Sequence, residues 1–123
     1  MAQSYLKLKN YRKAAQYYPK ATAYGNNSVW NDWGYVLIQL KNYDEALEKF
    51  EKVLETDNES WYGWYNKACI YALKGEDIEK ITEVLKKAVQ YAPHNEPIKL
   101  MQKDVSFDKI RENKSFTELY HLK

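Results

Sequence analysis

A recurring spacing of about 34 residues restricts the fold of this chain more than any other feature of its sequence. Trp64 follows Trp30 at this spacing, and Ala68 follows Gly34 at the same spacing. Further pairs follow at a spacing one residue longer: Ala46 with Ile81, Phe50 with Leu85, and Val53 with Ala88. Upstream, the segment 8–14 reappears as 40–46. A unit of this length cannot bury its own apolar face, so successive copies are expected to stack on one another.

Each copy is predicted to form two helices. The first apolar stripe of the second copy recurs at spacings of three and four residues and consists of Trp30, Trp33, Gly34, Leu37 and Ile38. Asn42 then interrupts the pattern, and a second stripe follows with Ala46, Leu47, Phe50, Val53 and Leu54. The small residues Ala14, Gly34, Ala46 and Ala68 are expected where two helices cross closely, because a larger side chain there would push them apart.

These residues resemble the tetratricopeptide repeat, whose pattern is a Trp, then Leu-Gly, Tyr, Ala, an aromatic residue, Ala and a closing Pro. The second copy supplies Trp30, Trp33-Gly34, Leu37, Ala46, Phe50 and Val53, with Asn58 where Pro is usual. The third supplies Trp64, Lys67-Ala68, Tyr71, Gly75, Ile81, Leu85, Ala88 and Pro93. The first copy enters the pattern late, at Met1-Ala2, and continues with Tyr5, Ala14, Tyr18 and Ala21.

The resemblance covers roughly residues 1–95 and implies an all-α fold. Antiparallel helix hairpins are expected to stack as a short right-handed superhelix, an α-solenoid of about three repeats followed by C-terminal capping helices. We expect a single domain, 1–123, made of a truncated first repeat (1–26), a second repeat (27–60), a third repeat (61–95) and the capping segment (96–123). Pro19 falls inside the second helix of the first copy, and its ring predicts a kink near Ala15 to Pro19.

The segment after Pro93 is predicted to cap the array. Asn95 is a suitable N-cap for a helix with Glu96 and Pro97 in its first turn, and Ile98, Met101 and Gln102 continue its amphipathic pattern. Two short capped helices are expected beyond it, over 104–111 and 115–119. This segment resembles the tail that often closes bacterial tetratricopeptide proteins, and its expected anchors are Phe107, Ile110, Phe116 and Leu119. We expect these residues to complete the fold and to carry no chemistry.

Charge and cysteine content exclude several functional classes. The net charge of +2 is too small to favour nucleic acid or an anionic membrane as the main partner. The N-terminus lacks the apolar core of a signal peptide, and no run approaches the ~20 apolar residues of a membrane span. One cysteine, Cys69, cannot form an intramolecular disulfide, which fits a reducing compartment. We therefore expect a cytoplasmic protein.

No catalytic, cofactor-binding or metal site is predicted. His94 and His121 are the only histidines, and neither has a metal-ligating neighbour at helical spacing. The sequence contains no Gly-rich phosphate loop and no nucleophile elbow. Carboxylates fall on faces predicted to be exposed, where solvation is the expected role. The chain is therefore not expected to be an enzyme or to need a cofactor.

The resemblance implies a binding groove on the concave face, because the first helix of each tetratricopeptide pair lines that face. Carried over by pattern, the groove residues are Asn31, Asp32, Tyr35, Ile38, Gln39, Tyr62, Tyr65, Asn66, Cys69 and Leu73, with Gln3, Leu6 and Lys7 from the short first helix. Tyrosines suit a peptide groove because they offer apolar area and a hydroxyl at low entropic cost. The alternative is that these tyrosines pack on the next repeat.

The predicted function is a protein–protein interaction module that binds a peptide or protein segment in this Tyr-rich groove, in a scaffold or assembly role. The second and third copies place no basic residue at the groove positions where some members grip a C-terminal carboxylate, so capture of a charged chain end is not expected. An apolar or aromatic segment is the expected partner. Two alternatives remain: an oligomerisation or structural element, and a regulatory fragment of a larger protein.

Overall fold

The computed structural model of the chain describes residues 10–13 and 27–122. Every regular element in these ranges is helical, which confirms the predicted all-α class. The chain divides into two compact units, residues 1–56 and 57–123, and each is described by itself. The prediction of one domain over the whole chain stays a prediction. Among the described helices, none is long and apolar enough to cross a membrane.

Several expectations for the first copy concern residues that are not described. The kink near Pro19, the close crossing at Ala14 and the groove positions Gln3, Leu6 and Lys7 lie outside the described residues. Residues 10–13, the described part of this copy, are helical.

In the first unit, helix α1 (Asn27–Gln39) packs against helix α2 (Tyr43–Thr56). The apolar side chains of α2 at Ala46, Phe50 and Val53 follow helical spacing and are completely buried. Leu47 and Leu54, predicted for the same stripe, are half-buried. The two predicted helices and the break at Asn42 are therefore confirmed.

Gly34 allows α1 and α2 to approach closely. A Cβ atom added at this position would lie 2.7 Å from both Cε2 and Cζ of the Phe50 ring, well inside van der Waals contact. Phe50 is itself completely buried, so its ring has little room to move away. The predicted close crossing at Gly34 is confirmed, and an aromatic ring on the partner helix is what fills the space.

The first helix of each described repeat ends with the same left-handed turn. Lys41 has φ 64° and Gly75 has φ 78°, and the two occupy equivalent positions of successive repeats. In each turn the next amide bonds back five residues: Asn42 N–H donates to the Leu37 carbonyl at 2.9 Å, and Glu76 N–H to Tyr71 at 3.0 Å. Glycine adopts this conformation without a Cβ clash, whereas for lysine it costs about 1 kcal/mol. The repeat therefore preserves the turn geometry even where the residue type changes.

In the second unit, helix α3 (Trp61–Lys74) packs against helix α4 (Ile78–Tyr91). Buried residues of α3 occupy more than one side of the helix: Gly63, Tyr65, Ala68, Cys69, Ile70, Tyr71 and Ala72. A helix that is apolar around most of its circumference has to be covered from several directions. Helix α4 covers one of them, and the C-terminal segment covers another.

Trp64, the family-pattern tryptophan of the third copy, is held by several contacts within this unit. Its indole Nε1–H donates to the backbone carbonyl of Asn58 at 2.8 Å. The ammonium groups of Lys87 and Lys67 lie 4.7 Å and 5.4 Å from a Trp64 ring centroid. Cation–π contacts of this kind add about 0.5–1 kcal/mol each at exposed sites. Trp64 therefore fixes the loop before α3 to both helices of the pair.

The C-terminal segment contains helix α5 (Glu96–Met101), a 3₁₀ turn over Val105–Ile110, the one-turn helix α6 (Lys114–Thr117) and a second 3₁₀ turn over Glu118–His121. The two short capped helices predicted here are confirmed. Asp104 and Asn113 cap them, each accepting from the amide two residues later at 2.9 Å. Of the predicted anchors, Phe107, Phe116 and Leu119 are buried and Ile110 is half-buried.

The expected cap at Asn95 is only partly correct. Helix α5 starts where predicted, but the Asn95 side chain makes no capping hydrogen bond. Its backbone, at φ −97° and ψ 26°, is not in the extended conformation that aims a cap side chain at the first turn. Pro97 also removes one of the amides that a cap would serve. The Glu96 carboxylate instead accepts from the His94 amide at 3.1 Å.

The contact between Gly34 and Phe50 can be tested with the pair that the third copy carries at the same positions, Ala68 and Leu85. We expect Gly34→Ala to lower the free energy of unfolding by about 1 kcal/mol, because overpacking (~1–3 kcal/mol) outweighs the gain in helix propensity (~1 kcal/mol). Phe50→Leu alone is expected to cost about 1–2 kcal/mol. The double variant should lose at least about 1 kcal/mol less than the sum in urea unfolding. If the double variant loses the sum of the two single losses in unfolding free energy, the contact between Gly34 and Phe50 is contradicted.

Candidate functional site

Five of the predicted groove residues form one face of α1, called here the α1 face: Asn31, Asp32, Tyr35, Ile38 and Gln39. At 100° per residue these positions fall on one side of the helix. Asp32 is exposed, and Asn31, Ile38 and Gln39 are half-buried. Tyr35 is an exposed aromatic residue, with 50% of its surface accessible. The α1 face therefore combines one exposed aromatic ring with a carboxylate and two amides.

The other five form the α3 face in the second unit: Tyr62, Tyr65, Asn66, Cys69 and Leu73. Tyr62, Asn66 and Leu73 are half-buried. The Asn66 amide donates to the backbone carbonyl of Tyr62 at 2.9 Å, one turn earlier on the same helix. Tyr65 and Cys69 are only 5% and 3% exposed, so they do not line an open groove in this structure.

The C-terminal segment covers these two side chains, which the sequence did not predict. The Tyr65 hydroxyl donates to Asp104 Oδ2 at 2.7 Å, and the Cys69 thiol lies 3.6 Å from the same oxygen. The other carboxylate oxygen, Oδ1, accepts the capping bond from Ser106 N–H. One aspartate thus caps the 3₁₀ turn and joins it to two successive turns of α3.

Aromatic rings complete this contact. The Phe107 ring, which is completely buried, meets the Tyr65 ring edge-on with centroids 5.9 Å apart. Phe107 in turn lies 5.2 Å from Phe116. Edge-to-face pairs of this kind add roughly 0.5–1.5 kcal/mol beyond the area they bury. Tyr65 is therefore fixed at its hydroxyl by a carboxylate and at its ring by Phe107.

Arg111 holds the backbone around Asp104 in place through hydrogen bonds. Its guanidinium donates to the carbonyl oxygens of Met101 at 2.8 Å, Gln102 at 2.7 Å and Asp104 at 2.6 Å. It also pairs with the Asp108 carboxylate at 2.8 Å. Because arginine offers five donors in a rigid plane, this one side chain can donate to backbone carbonyl oxygens at the end of α5 and at the start of the 3₁₀ turn.

The surroundings of Cys69 and Tyr65 keep both groups protonated. Burial raises the pKa of the Cys69 thiol, and the Asp104 carboxylate raises it further. Burial also raises the pKa of the Tyr65 hydroxyl, with added contributions from Cys69 and Asp104. A thiol with a raised pKa is a poor nucleophile, because the thiolate is the reactive form. These groups therefore act as neutral hydrogen-bond donors. Within the described residues, no three His, Cys, Asp or Glu side chains are grouped so as to hold a metal ion.

The role of Asp104 could not be read from the sequence. Its position before a short amphipathic stretch predicts a cap, and a cap uses one carboxylate oxygen. The second oxygen bonds to a helix 39 residues earlier in the chain. No local pattern specifies that partner, because the contact depends on how the C-terminal segment folds back over α3.

A double-mutant cycle should measure the coupling between Tyr65 and Asp104. Tyr65→Phe keeps the ring contact with Phe107 and removes the hydroxyl, so we expect it to cost about 1.5–3 kcal/mol, as for a hydrogen bond to a charged group. In an Asp104→Asn background the same change should cost at least about 1 kcal/mol less. Urea unfolding measures both, with Tyr62→Phe on the same helix as the control. Equal costs in the two backgrounds would exclude the coupling.

The raised pKa of Cys69 predicts a loss of stability at alkaline pH. The folded state holds the thiol protonated, while in the unfolded chain it ionises near pH 8.5, so its contribution is complete below about pH 8.5 and is lost above it. Between pH 9 and 10 the wild type should lose up to about 1.4 kcal/mol per pH unit more than Cys69→Ala, the limit for release of one proton on unfolding. Urea titrations at fixed pH test this, and parallel curves would contradict it.

Two family models, both of the tetratricopeptide repeat, match this chain. One covers residues 27–60, and the other covers residues 1–24 and 62–95. A comparison with curated proteins finds no match to the chain. The matched segments contain the helix pairs α1–α2 and α3–α4, with Gly34 at the crossing of the first pair and the completely buried Ala68 at the equivalent position of the second. The chain therefore belongs to the tetratricopeptide repeat family, whose repeats serve as protein–protein interaction modules.

Proposed function

We propose that this chain binds a peptide or protein segment through the first helices of its repeats, with the α1 face as the main contact surface. The observation that supports this most is a difference between equivalent positions. Tyr35 and Cys69 are separated by one repeat spacing and occupy the same place in successive repeats. Cys69 is covered by the chain's own C-terminal segment and is 3% exposed, whereas Tyr35 is 50% exposed.

The chemistry of the α1 face suits an uncharged or aromatic segment. Tyr35 offers an apolar ring and a hydroxyl with few rotamers to lose on binding. Gln39 carries an amide that can both donate and accept hydrogen bonds, which suits a peptide backbone. Asp32, the one charged side chain of this face, is acidic. A partner that presents a free carboxylate would meet repulsion here, so we propose an internal segment with apolar or aromatic anchors.

This proposal gives the chain a scaffold or assembly role and no catalytic one. The buried thiol and phenol of the second unit hold their protons and bond to a carboxylate, which fits a structural contact. Cys69 is a free, buried thiol, which supports the proposed cytoplasmic location.

Site-specific photo-crosslinking tests the α1 face. A photoreactive phenylalanine analogue at position 35 should crosslink a partner in the source cells. The same analogue in place of Lys52, an exposed residue of the second helix α2, should not. Tyr35→Ala should abolish co-purification of that partner while leaving helicity and the melting temperature within about 1–2 °C of wild type, because an exposed side chain contributes little to stability.

The mass of the crosslinked product also tests the alternative that the chain is an oligomerisation element. A product with twice the mass of the chain would identify self-association, which light scattering on the purified protein would confirm independently. Crosslinking from position 52 but not from position 35 would overturn the proposal, since it would place the partner on the second helices.

A further inference from the structure

The segment 104–107 contacts the α3 face in the way that a bound peptide would. Its carboxylate accepts from the Tyr65 hydroxyl at 2.7 Å and lies 3.6 Å from the Cys69 sulfur, one helical turn further along α3. Three residues after Asp104, the Phe107 ring is completely buried and meets Tyr65 edge-on. A charged acceptor and an aromatic anchor at a fixed spacing are the elements that make peptide recognition specific.

This contact differs from the other contacts of the C-terminal segment. Met101, Phe116 and Leu119 are buried apolar side chains, whose burial stabilises the fold without demanding a particular partner chemistry. Asp104 is half-buried, and a carboxylate that is partly removed from water requires donors at defined positions. Tyr65 and Cys69 provide them as neutral groups. The donors to the carboxylate oxygen Oδ2 of Asp104 come from α3, whereas the Arg111 guanidinium donates to the backbone carbonyl of Asp104.

The connection between helix α5 and this segment is exposed to solvent. Helix α5 has its own buried residues, Pro97, Ile98 and Met101. Gln102 and Lys103, which connect it to Asp104, are exposed. Val105, inside the 3₁₀ turn, is 74% exposed. The 3₁₀ turn therefore contacts α3 through Asp104 and Phe107. Arg111 joins it to the end of α5 through the carbonyl oxygens of Met101 and Gln102.

We propose that the surface formed by Tyr65 and Cys69 on α3 recognises a segment carrying a carboxylate and, three residues later, an aromatic ring. The chain's own residues 104–107 occupy this surface until a partner segment of the same chemistry displaces them. The inference rests on the proposed function, that first helices of this chain bind peptide segments, and it specifies the partner chemistry at the second unit. The tethered segment competes at an effective concentration of order mM, so a partner has to exceed that competition.

The single cysteine provides a direct readout. Cys69 lies beneath Asp104 and is 3% exposed, so a thiol reagent reaches it only when the segment moves away. Asp104→Asn is the informative variant. Its amide oxygen can still cap the turn through Ser106, but its NH₂ group can no longer accept from Tyr65. Asp108→Asn is the matched control, because Asp108 lies on the same turn, is exposed and pairs with Arg111.

The experiment uses the full chain and a blocked synthetic peptide of residues 103–110. Asp104→Asn should react with a thiol reagent at least about 10-fold faster than Asp108→Asn or wild type, the factor expected for losing about 1.4 kcal/mol of contact. The peptide should bind Asp104→Asn at least about 10-fold more tightly than wild type by fluorescence anisotropy, and it should slow thiol labelling of that variant again. Peptides with the aspartate changed to Asn, or the phenylalanine to Ala, should neither bind this variant more tightly than wild type nor slow its thiol labelling.

Two outcomes would overturn the inference. One is a peptide that fails to protect Cys69 in Asp104→Asn while circular dichroism shows that variant folded. The other is equal protection by the altered peptides. If Asp104→Asn does not fold, Phe107→Leu replaces it, since it keeps an apolar side chain and removes the ring contact. Adding Tyr65→Phe to either variant should weaken peptide binding, and unchanged affinity would place the peptide elsewhere and contradict the site.

Failure here is distinguishable from failure of the proposed function. A partner crosslinked from position 35 with no peptide protection of Cys69 would leave the α1 proposal intact and remove the α3 site. Protection of Cys69 by the peptide with no crosslink from position 35 would support the α3 site and remove the α1 face.

Discussion

Helix α3 has to be covered from several directions, because its buried residues do not lie on a single stripe. Helix α4 packs on one side and the 3₁₀ turn at 105–110 on another. The Asp104 carboxylate, which caps this 3₁₀ turn, lies against α3 and accepts hydrogen bonds from the Tyr65 hydroxyl and the Cys69 thiol. The organisation of the second unit therefore depends on one partly buried polar contact as well as on apolar packing.

A terminal cap and a binding site make similar physical demands. Both require an apolar helix face to be covered, and both become selective when a polar group is placed among the apolar ones. In this chain Phe107 supplies the apolar part and Asp104 the polar part. The equivalent stretch of α1 carries the half-exposed Tyr35 instead. The two repeats thus share a backbone plan and differ in whether the chain itself covers the first-helix face.

Two positions of the repeat differ in how well they tolerate a change of residue: the turn after the first helix and the crossing of the two helices. The turn after the first helix keeps its left-handed geometry with Lys41 in one repeat and Gly75 in the other, and in both turns the next amide bonds back five residues. The helix crossing is less tolerant. Gly34 faces the Phe50 ring so closely that a methyl group would overlap it, whereas the third repeat has Ala68 and Leu85 at the equivalent positions. A change at Gly34 is therefore expected to depend on the residue at position 50.

The sequence by itself determined the helix pairs, their close crossing at Gly34, the break at Asn42 and the short capped elements of the C-terminal segment, because each depends on local spacing or on the conformational limits of a residue. It also placed the site residues on first-helix faces. Only the tertiary structure decided that Tyr65 and Cys69 are buried beneath Asp104 while Tyr35 stays half-exposed. That distinction depends on where a segment 39 residues further along the chain folds back, and helical periodicity carries no information about contacts at that separation.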